Sequence, residues 1–299
     1  MNKRLVPLIA FLLTLSFQSR AWAWGQAGHM VVAQIAYDNL SDKAKAKVAE
    51  LIVVKIDPAT VVEHLRNGTT KVVDVRKATG TFVTAACWAD DVKTDADRNC
   101  HFFDEPFSPD GTTPKLKAVN CDVVSALRTA EQVLRSNTTK AKKARQLRYL
   151  IHLTGDIHQP LHCATRCTQG HAGGDRGGND FPLSGGGDEL HSFWDGGVKL
   201  FPHSIDRPLD QHGIDKIKQL AADCTASNPH SAFAAELKVT DYRKWADDSF
   251  TLAKSTAYDG LASNDTPSDT YVTAEQEVVR KRVALAGYRL AALLNDIVK

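Results

Sequence analysis

The segment HLTGDIHQPLH, from His152 to His162, carries the side chains that constrain this chain most. Read as a helix, it places His152 and Asp156 four residues apart and therefore on one face. Pro160 stops that helix, because its ring blocks the next turn and its nitrogen has no hydrogen to donate. His162 then follows just outside the helix, close to the same end.

The later segment LHSFWD repeats the pattern, since His191 and Asp195 are again four residues apart. Neutral imidazole and carboxylate are both zinc ligands, at about 2.0–2.2 Å from the ion. Either pair alone is as consistent with an ordinary surface ion pair as with a metal site. Two pairs with His162 between them favour a metal site that draws on both segments.

Residues 1–23 have the pattern of a secretory signal peptide. Two basic residues precede an apolar stretch from Leu5 to Phe17, which is too short to span a bilayer, and Ala21-Trp22-Ala23 is an A-x-A cleavage site. A membrane anchor is the less favoured alternative. We therefore predict a signal peptide over 1–23, a single catalytic domain over 24–299, and a secreted or periplasmic protein without stable membrane association.

The six cysteines are candidates for disulfides, because secreted proteins fold in oxidising compartments. Six cysteines allow 15 pairings, and the sequence does not choose among them. Cys163 and Cys167 are near enough in sequence to bridge locally, which would brace the neighbouring His162. A zinc site made of cysteines is disfavoured because the chain has no C-x-x-C motif.

Helical periodicity dominates the chain and strand signals are scarce, so the predicted fold class is mainly α. The predicted helices cover residues 29–40, 41–54, 122–135, 139–159, 189–198, 231–237, 243–256 and 274–298. We expect short extended pieces around 72–75, short helix and irregular loop over 87–111, and a glycine-rich loop over 166–188. No repeat or linker divides the chain, which predicts one compact domain.

Four further motifs extend the series. The mature chain would begin WGQAGH, CWADDVK contains Asp90, NCHFFD contains His101, and DRGGN precedes LHSFWD. In this order the motifs resemble those of the zinc-dependent type I nuclease family, whose members are single-strand-specific nucleases and 3′-nucleotidases. The bacterial zinc phospholipases C are similar to this family more distantly. The resemblance covers most of the mature chain.

The resemblance implies three zinc ions per chain in one helical domain built around them. The first ion would be bound by Asp90, His101, His152 and Asp156; the second by His162, His191 and Asp195; and the third by Trp24, through its α-amine and carbonyl oxygen, together with His29 and the bridging Asp156. All nine expected ligands are present.

The resemblance also implies an activity and a substrate site. The substrates would be single-stranded DNA and RNA, cut to 5′-nucleotides, and 3′-mononucleotides. Phe102 falls where family members stack a nucleobase, while Asp104 and Asn179 fall where they hydrogen-bond its edge. Lys93 matches a basic residue near the scissile phosphate, which makes it a catalytic candidate beside Asp90 and Asp156. The alternative role of Phe102 is ordinary core packing.

Two other functions remain open from the sequence. A phospholipase C on the same scaffold is disfavoured because its relatives carry Glu where this chain has Asp195, and they lack DRGGN. A non-catalytic periplasmic zinc protein is disfavoured because structural zinc sites are closed by four ligands. The site of His162, His191 and Asp195 has only three protein ligands.

Overall fold

The computed structural model describes residues 24–64, 70–185, 189–202 and 205–299. Within these residues the fold is mainly α, as predicted. The predicted signal peptide, 1–23, lies outside the described residues. Among those described, no helix is both long enough and apolar enough to cross a membrane.

The described residues contain ten α-helices and four short strands. The helices are α1 (Gln26–Asp38), α2 (Asp42–Ile52), α3 (Val75–Ala78), α4 (Trp88–Asp91), α5 (Val123–Arg135), α6 (Lys140–Asp156), α7 (Leu190–Asp195), α8 (Gln211–Ala226), α9 (Tyr242–Leu252) and α10 (Asp269–Ile297). The strands are β1 (Thr60–His64), β2 (Thr70–Asp74), β3 (Glu105–Phe107) and β4 (Ala164–Arg166). β1 and β2 form an antiparallel hairpin with Val62 opposite Val72, and β3 pairs with β4 in parallel.

The predicted helix caps form where the sequence places them. The Ser41 hydroxyl accepts a hydrogen bond from the Ala44 N–H at the start of α2. Asp122 accepts from the Ser125 N–H, and the Ser125 hydroxyl accepts in return from the Asp122 N–H, which completes a capping box at α5. Such caps satisfy N–H groups that have no partner inside the helix. The sequence thus determines where these helices start.

Three helices, α1, α6 and α10, form the centre of the fold. Residues 27–36 of α1 and 150–156 of α6 are buried on every side, as expected of helices enclosed by others. α1 packs against α10, α8 and α6, while α5 and α2 cover α6 from outside. α1 and α10 approach closely at Gly287, where an added Cβ would lie 2.6 Å from the Cβ of Ile35. The first turns of α1 and the end of α6 thereby meet in the interior.

Several predicted boundaries are wrong. α6 ends at Asp156 instead of Gln159, because the residue before a proline is driven out of the helical region, and Gln159 is extended (φ −80°, ψ 118°). Pro160 opens a short 3₁₀ turn, Pro160–Cys163. α7 ends at Asp195 instead of residue 198, because Gly197 and the two residues after it have positive φ.

Other helical predictions also need correction. Residues 231–237 form parts of two short 3₁₀ turns, His230–Phe233 and Glu236–Lys238, instead of an α-helix. α10 begins five residues earlier than predicted, at a Ser268 cap. The whole of α8 was not predicted, although Asp210 caps it and its buried residues recur at helical spacing.

The predicted bridge between Cys163 and Cys167 is wrong. Both thiols are free and buried, and the disulfide joins Cys100 to Cys121. The segment between Cys163 and Cys167 is strand β4, and four residues of extended chain span about 13 Å. That exceeds the Cα separation of about 7 Å that a disulfide tolerates.

Candidate metal centre

The structure gathers the nine predicted ligand residues at the ends of four helices and in two 3₁₀ turns. All of them are buried: Trp24, His29, Asp90, His101, His152, Asp156, His162, His191 and Asp195. His29 lies in the first turns of α1, Asp90 in α4, and His152 and Asp156 at the end of α6. Trp24 lies just before α1, and the other four ligands come from the turn Arg98–His101, the turn Pro160–Cys163 and α7. These are distant parts of the chain, brought together by the three central helices.

Asp156 lies at the centre of the first group of ligands. Its Oδ2 lies 2.9 Å from His101 Nδ1 and 3.3 Å from His152 Nε2. Its Oδ1 faces the other way, 3.3 Å from His29 Nε2. Asp90 Oδ1 lies 3.7 Å from the same nitrogens of His101 and His152. The two oxygens of Asp156 therefore face different neighbours, which is the geometry of a bridging carboxylate.

The second group is formed by His162, His191 and Asp195. The two imidazole Nε2 atoms lie 3.2 Å apart, and Asp195 Oδ2 lies 3.5 Å from His191 Nε2. His162 Nδ1 donates to the carbonyl oxygen of His101 at 2.9 Å, and His191 Nδ1 donates to that of Gly177 at 2.7 Å. Because a carbonyl can only accept, each Nδ1 carries the proton and each Nε2 keeps a lone pair for a metal.

The donor atoms fit metal ions because burial leaves several without another partner. Within the described part of the chain, the side-chain atoms of the histidine and aspartate ligand residues with no hydrogen-bond partner are His29 Nδ1 and Nε2, Asp90 Oδ2, His101 Nε2, Asp156 Oδ1 and Asp195 Oδ2. Of these atoms, His29 Nε2, Asp156 Oδ1 and Asp195 Oδ2 face other ligand residues. A buried unpaired polar atom costs about 1–3 kcal/mol. A set of imidazole nitrogens and carboxylate oxygens is the donor set of zinc.

The pKa shifts agree with a centre that requires cations. Burial lowers the pKa of His162 well below its usual value and lowers that of His191 to about 4, so both rings are neutral and able to bind metal. Burial raises the pKa of the Asp195 carboxyl well above its usual range. A positive charge beside Asp195 would restore its ionised form.

The start of the described chain is held against both groups. The Gly25 N–H donates to the carbonyl oxygen of Asp195 at 2.7 Å. An added Cβ at Gly155 would lie 2.7 Å from His29 Nδ1 and 3.6 Å from Trp24 Cδ1, so only glycine lets α6 approach α1 here. Trp24 is fully buried, and Trp24 and His29 both pack against Gly155.

Comparison with known proteins assigns this centre to a family. A sequence model described as S1/P1 nuclease matches residues 24–299. The chain belongs to the S1/P1 nuclease family. Nuclease S1 of Aspergillus oryzae is 28% identical, with 98% of each chain covered. Endonuclease 3 of Arabidopsis thaliana is 25% identical over 97% of this chain and 94% of the relative. Nuclease P1 of Penicillium citrinum is 22% identical over 92% and 97%.

Membership decides the reaction class. The S1/P1 nucleases are zinc-dependent type I nucleases that act on single-stranded nucleic acids. This chain is therefore a nuclease, a hydrolase of phosphodiester bonds. The phospholipase and non-catalytic alternatives are not favoured.

In this S1/P1 nuclease, two of the residues predicted to act on the substrate, Phe102 and Lys93, lie next to the ligand groups. The Phe102 ring is only partly buried, with its centroid 4.7 Å from the His162 ring and 6.2 Å from that of His191. Lys93 Nζ lies 2.7 Å from Asp90 Oδ1, which places a cation next to the first metal group. Phe102 therefore lies beside the second ligand group and Lys93 beside the first.

Asp104 and Asn179 lie on neighbouring segments. Asp104 directly precedes β3, and β3 pairs with β4. The Arg166 N–H of β4 donates to Asp175, which lies in the same glycine-rich loop as Asn179. The Asn179 side chain donates to the Arg176 carbonyl oxygen at 2.6 Å. Although part of the Asp104 side chain is exposed, burial of its carboxyl and the charge of Asp175 raise its pKa to about 6.

Sequence reasoning missed the residues that support these groups. Tyr258 donates to both oxygens of Asp175, at 2.9 and 3.0 Å, and so fixes the glycine-rich loop from the C-terminal part of the chain. Arg207 makes a two-pronged ion pair with Asp91, at 2.7 and 2.9 Å, beside Asp90. Asp175 belongs to DRGGN and was within reach of the sequence, whereas Tyr258 and Arg207 carry no local signal.

Proposed function

We propose that this S1/P1 nuclease is a secreted enzyme with three zinc ions per chain. It cuts single-stranded DNA and RNA to 5′-nucleotides and removes phosphate from 3′-mononucleotides. The observation that supports this most is the buried set of unpaired ligand atoms arranged around the bridging carboxylate of Asp156.

The proposed ligand sets are those that the family resemblance implies. Asp90, His101, His152 and Asp156 would hold the first ion, and His162, His191 and Asp195 the second. His29, Asp156 and the amine and carbonyl oxygen of Trp24 would hold the third. When bound, zinc ions lower the pKa of a coordinated water toward about 7 and neutralise phosphate charge. The side chains keep these positions dry and fixed, since all nine ligand residues are buried.

The other residues bind and orient the substrate. The ammonium of Lys93 attracts the scissile phosphate from beside Asp90, but as a point charge without the two-pronged geometry of arginine. Phe102 stacks a nucleobase, which contributes about 1–3 kcal/mol per base without demanding one sequence. Bases in a duplex already stack on each other, so this contact favours single strands. Asp104 and Asn179 hydrogen-bond the edge of the stacked base.

Secretion and the domain bounds belong to the same proposal. The Cys100–Cys121 disulfide is typical of proteins that fold in oxidising compartments. Cleavage after Ala23 would leave one domain, 24–299, with Trp24 at its start. Amino-terminal sequencing of the protein recovered from the medium or periplasm tests both statements, and a first residue other than Trp24 would contradict them.

The test of the activity is a substrate panel with the purified mature protein. The panel contains single-stranded DNA, RNA, a 3′-mononucleotide and a phosphatidylcholine emulsion, and zinc is counted by elemental analysis of the same sample. We expect hydrolysis of the first three substrates and about three zinc ions per chain. Chelation should abolish activity and lower the melting temperature, because zinc bound to the folded state stabilises it.

Two variants make the panel specific to the site. His191→Ala should lose zinc and activity, whereas His212→Ala, which changes an exposed histidine of α8, should lose neither. Fully active wild-type protein with one zinc or none would contradict the three-ion arrangement. Hydrolysis of the lipid emulsion alone would contradict the substrate class.

A further inference from the structure

We propose that Gln159 is a positioning residue that makes Asp195 a one-oxygen ligand. This inference rests on the proposed function, in that it requires an ion held by His162, His191 and Asp195. The Gln159 side chain is fully buried between the end of α6 and α7. Its Nε2 lies 2.8 Å from Asp195 Oδ1.

The orientation of the Gln159 amide follows from its other neighbour. The Leu161 N–H lies 2.5 Å from Oε1, and a backbone N–H can only donate. The oxygen of the amide must therefore face Leu161, which leaves the NH₂ group to face Asp195. Because the site is buried, no solvent water can replace either bond.

The hydrogen bond from Gln159 gives the two oxygens of Asp195 different roles. Oδ1 accepts from the amide, while Oδ2 is buried, has no hydrogen-bond partner and lies 3.5 Å from His191 Nε2. Oδ1 also faces the group, 4.0 Å from His162 Nε2, but the amide already uses one of its two lone pairs. Oδ2 keeps both lone pairs and lies nearer to an imidazole nitrogen, so the bond from Gln159 favours Oδ2 as the single ligand atom. Three single-atom protein ligands leave at least one position open on a tetrahedral ion, as catalytic zinc sites require. A two-oxygen Asp195 would take the position that a substrate oxygen needs.

The backbone of Gln159 links the two ligand groups as well. Its N–H donates to the Asp156 carbonyl oxygen at 3.0 Å, and its carbonyl accepts from the His162 N–H at 3.0 Å. One residue thus connects a ligand of the first group with two ligands of the second. This connection depends on the early end of α6, because a continued helix would use the same backbone groups internally.

The experiment compares zinc retention in Gln159→Met and in a matched control. Methionine has a similar length but cannot donate to Asp195. The control is Gln34→Met, because Gln34 is also mostly buried and its Nε2 also donates to an aspartate, Asp38, at 2.8 Å, but away from the metal groups. Each protein is loaded with zinc and then titrated with a chromogenic chelator.

We expect Gln159→Met to bind one of its three zinc ions 10–100-fold more weakly, which is the usual effect of removing a residue that supports a metal ligand. The gain in melting temperature on adding zinc to the metal-free protein should also become smaller, because stabilisation by a bound ligand grows with the logarithm of its affinity. Gln34→Met should match wild type in both measurements. A purely structural role would lower the melting temperature of the metal-free protein and leave zinc affinity unchanged, which would overturn the proposal.

Two further measurements separate the possible failures. If Asp195→Asn leaves the wild-type zinc count unchanged, the three-ion proposal fails, and the role of Gln159 fails with it. If that count falls but Gln159→Met retains zinc as wild type does, only the role of Gln159 is overturned. Should Gln159→Met not fold, a crystal structure of zinc-loaded wild type decides, since a two-oxygen Asp195 would refute the inference.

Discussion

The hydroxyl of Tyr258 holds the glycine-rich loop that carries the proposed base-binding residue Asn179, and removing it tests how that loop is positioned. It donates to both oxygens of Asp175, at 2.9 and 3.0 Å, and both residues are buried. Burial and the charge of Asp175 raise the pKa of Tyr258 well above its usual value, so the hydroxyl stays protonated and remains a donor. Tyr258→Phe removes this donor and keeps the ring against Phe107 and Phe181.

The expected loss of stability follows from that contact. A hydrogen bond to a charged group contributes about 1.5–3 kcal/mol, and Asp175 keeps its bond from the Arg166 N–H. We therefore expect Tyr258→Phe to lower the free energy of unfolding by about 2 kcal/mol. For a large domain this lowers the melting temperature by roughly 4–8 °C.

The same change should also reach the substrate. Asp175 begins the DRGGN loop, in which the Gly177 carbonyl accepts from His191 and Asn179 is the proposed base-binding residue. A looser loop should raise KM for single-stranded DNA more than it lowers kcat. Differential scanning calorimetry and initial rates measure the two effects.

Tyr288→Phe is the matched control for this prediction. Its hydroxyl donates to the neutral carbonyl of Asn228 at 3.1 Å, far along the chain from the loop. A neutral hydrogen bond contributes only about 0.5–1.5 kcal/mol, so the melting temperature should fall less and KM should not change. Equal effects of the two substitutions, or none from Tyr258→Phe, would refute the role assigned to the Tyr258–Asp175 contact.

Four other predictions follow from the ligand and substrate residues. Asp156→Asn should lower turnover by more than roughly 100-fold, because losing a residue that only supports a ligand already costs about 10–100-fold. The loss should exceed that of Asp195→Asn, because Asp156 would serve two ions and Asp195 only one; near-native turnover with full zinc would contradict the bridge. One extra residue before Trp24 should leave the protein folded but nearly inactive, since an amide nitrogen has no lone pair for zinc; wild-type rates would exclude the terminal amine as a ligand. Phe102→Ala should weaken single-strand binding by about 1–3 kcal/mol, measured as KM, and an unchanged KM would favour a packing role. Burial and the charge of Asp175 raise the pKa of Asp104 to about 6, so its carboxyl group can donate a hydrogen bond at about pH 5 but only accepts at about pH 7. The ratio of the KM values for two 3′-mononucleotides with different bases should therefore change between these pH values, and Asp104→Asn should remove that change.

Local patterns predicted the helices well where one side faces solvent. Ser41, Asp122 and Thr139 cap helices at the positions that the sequence indicates, because capping involves only residues within one turn. α8 was missed even though Asp210 provides the same signal, since its apolar residues alternate with many charged ones. The disulfide was not predictable, because Cys100 and Cys121 are brought together by the loop between β3 and α5 and by no local pattern.

The candidate site was predictable as a list of residues but not as a set of contacts. The i,i+4 spacing indicates that His152 and Asp156 share a helix face, and the resemblance implies which ion each would bind. It does not indicate that Asp156 Oδ1 faces His29 while Oδ2 faces His101, since that depends on the packing of α1 against α6. The hydrogen bond from Tyr258 to Asp175 joins segments that are far apart in the sequence. The hydrogen bond from Gln159 to Asp195 depends on the chain leaving the helix after Asp156. Neither contact can be predicted from local spacing.

The early end of α6 is the reason that two ligand groups form one centre. Had the helix continued to Gln159, three more residues would have carried the chain about 4.5 Å farther along the helix axis. Instead the chain turns after Asp156, and His162 lies with its ring centroid 4.9 Å from that of His191 and its Nδ1 bonded to the His101 carbonyl. Pro160 therefore does more than stop a helix: by excluding Gln159 from the helical region, it frees that side chain to reach Asp195.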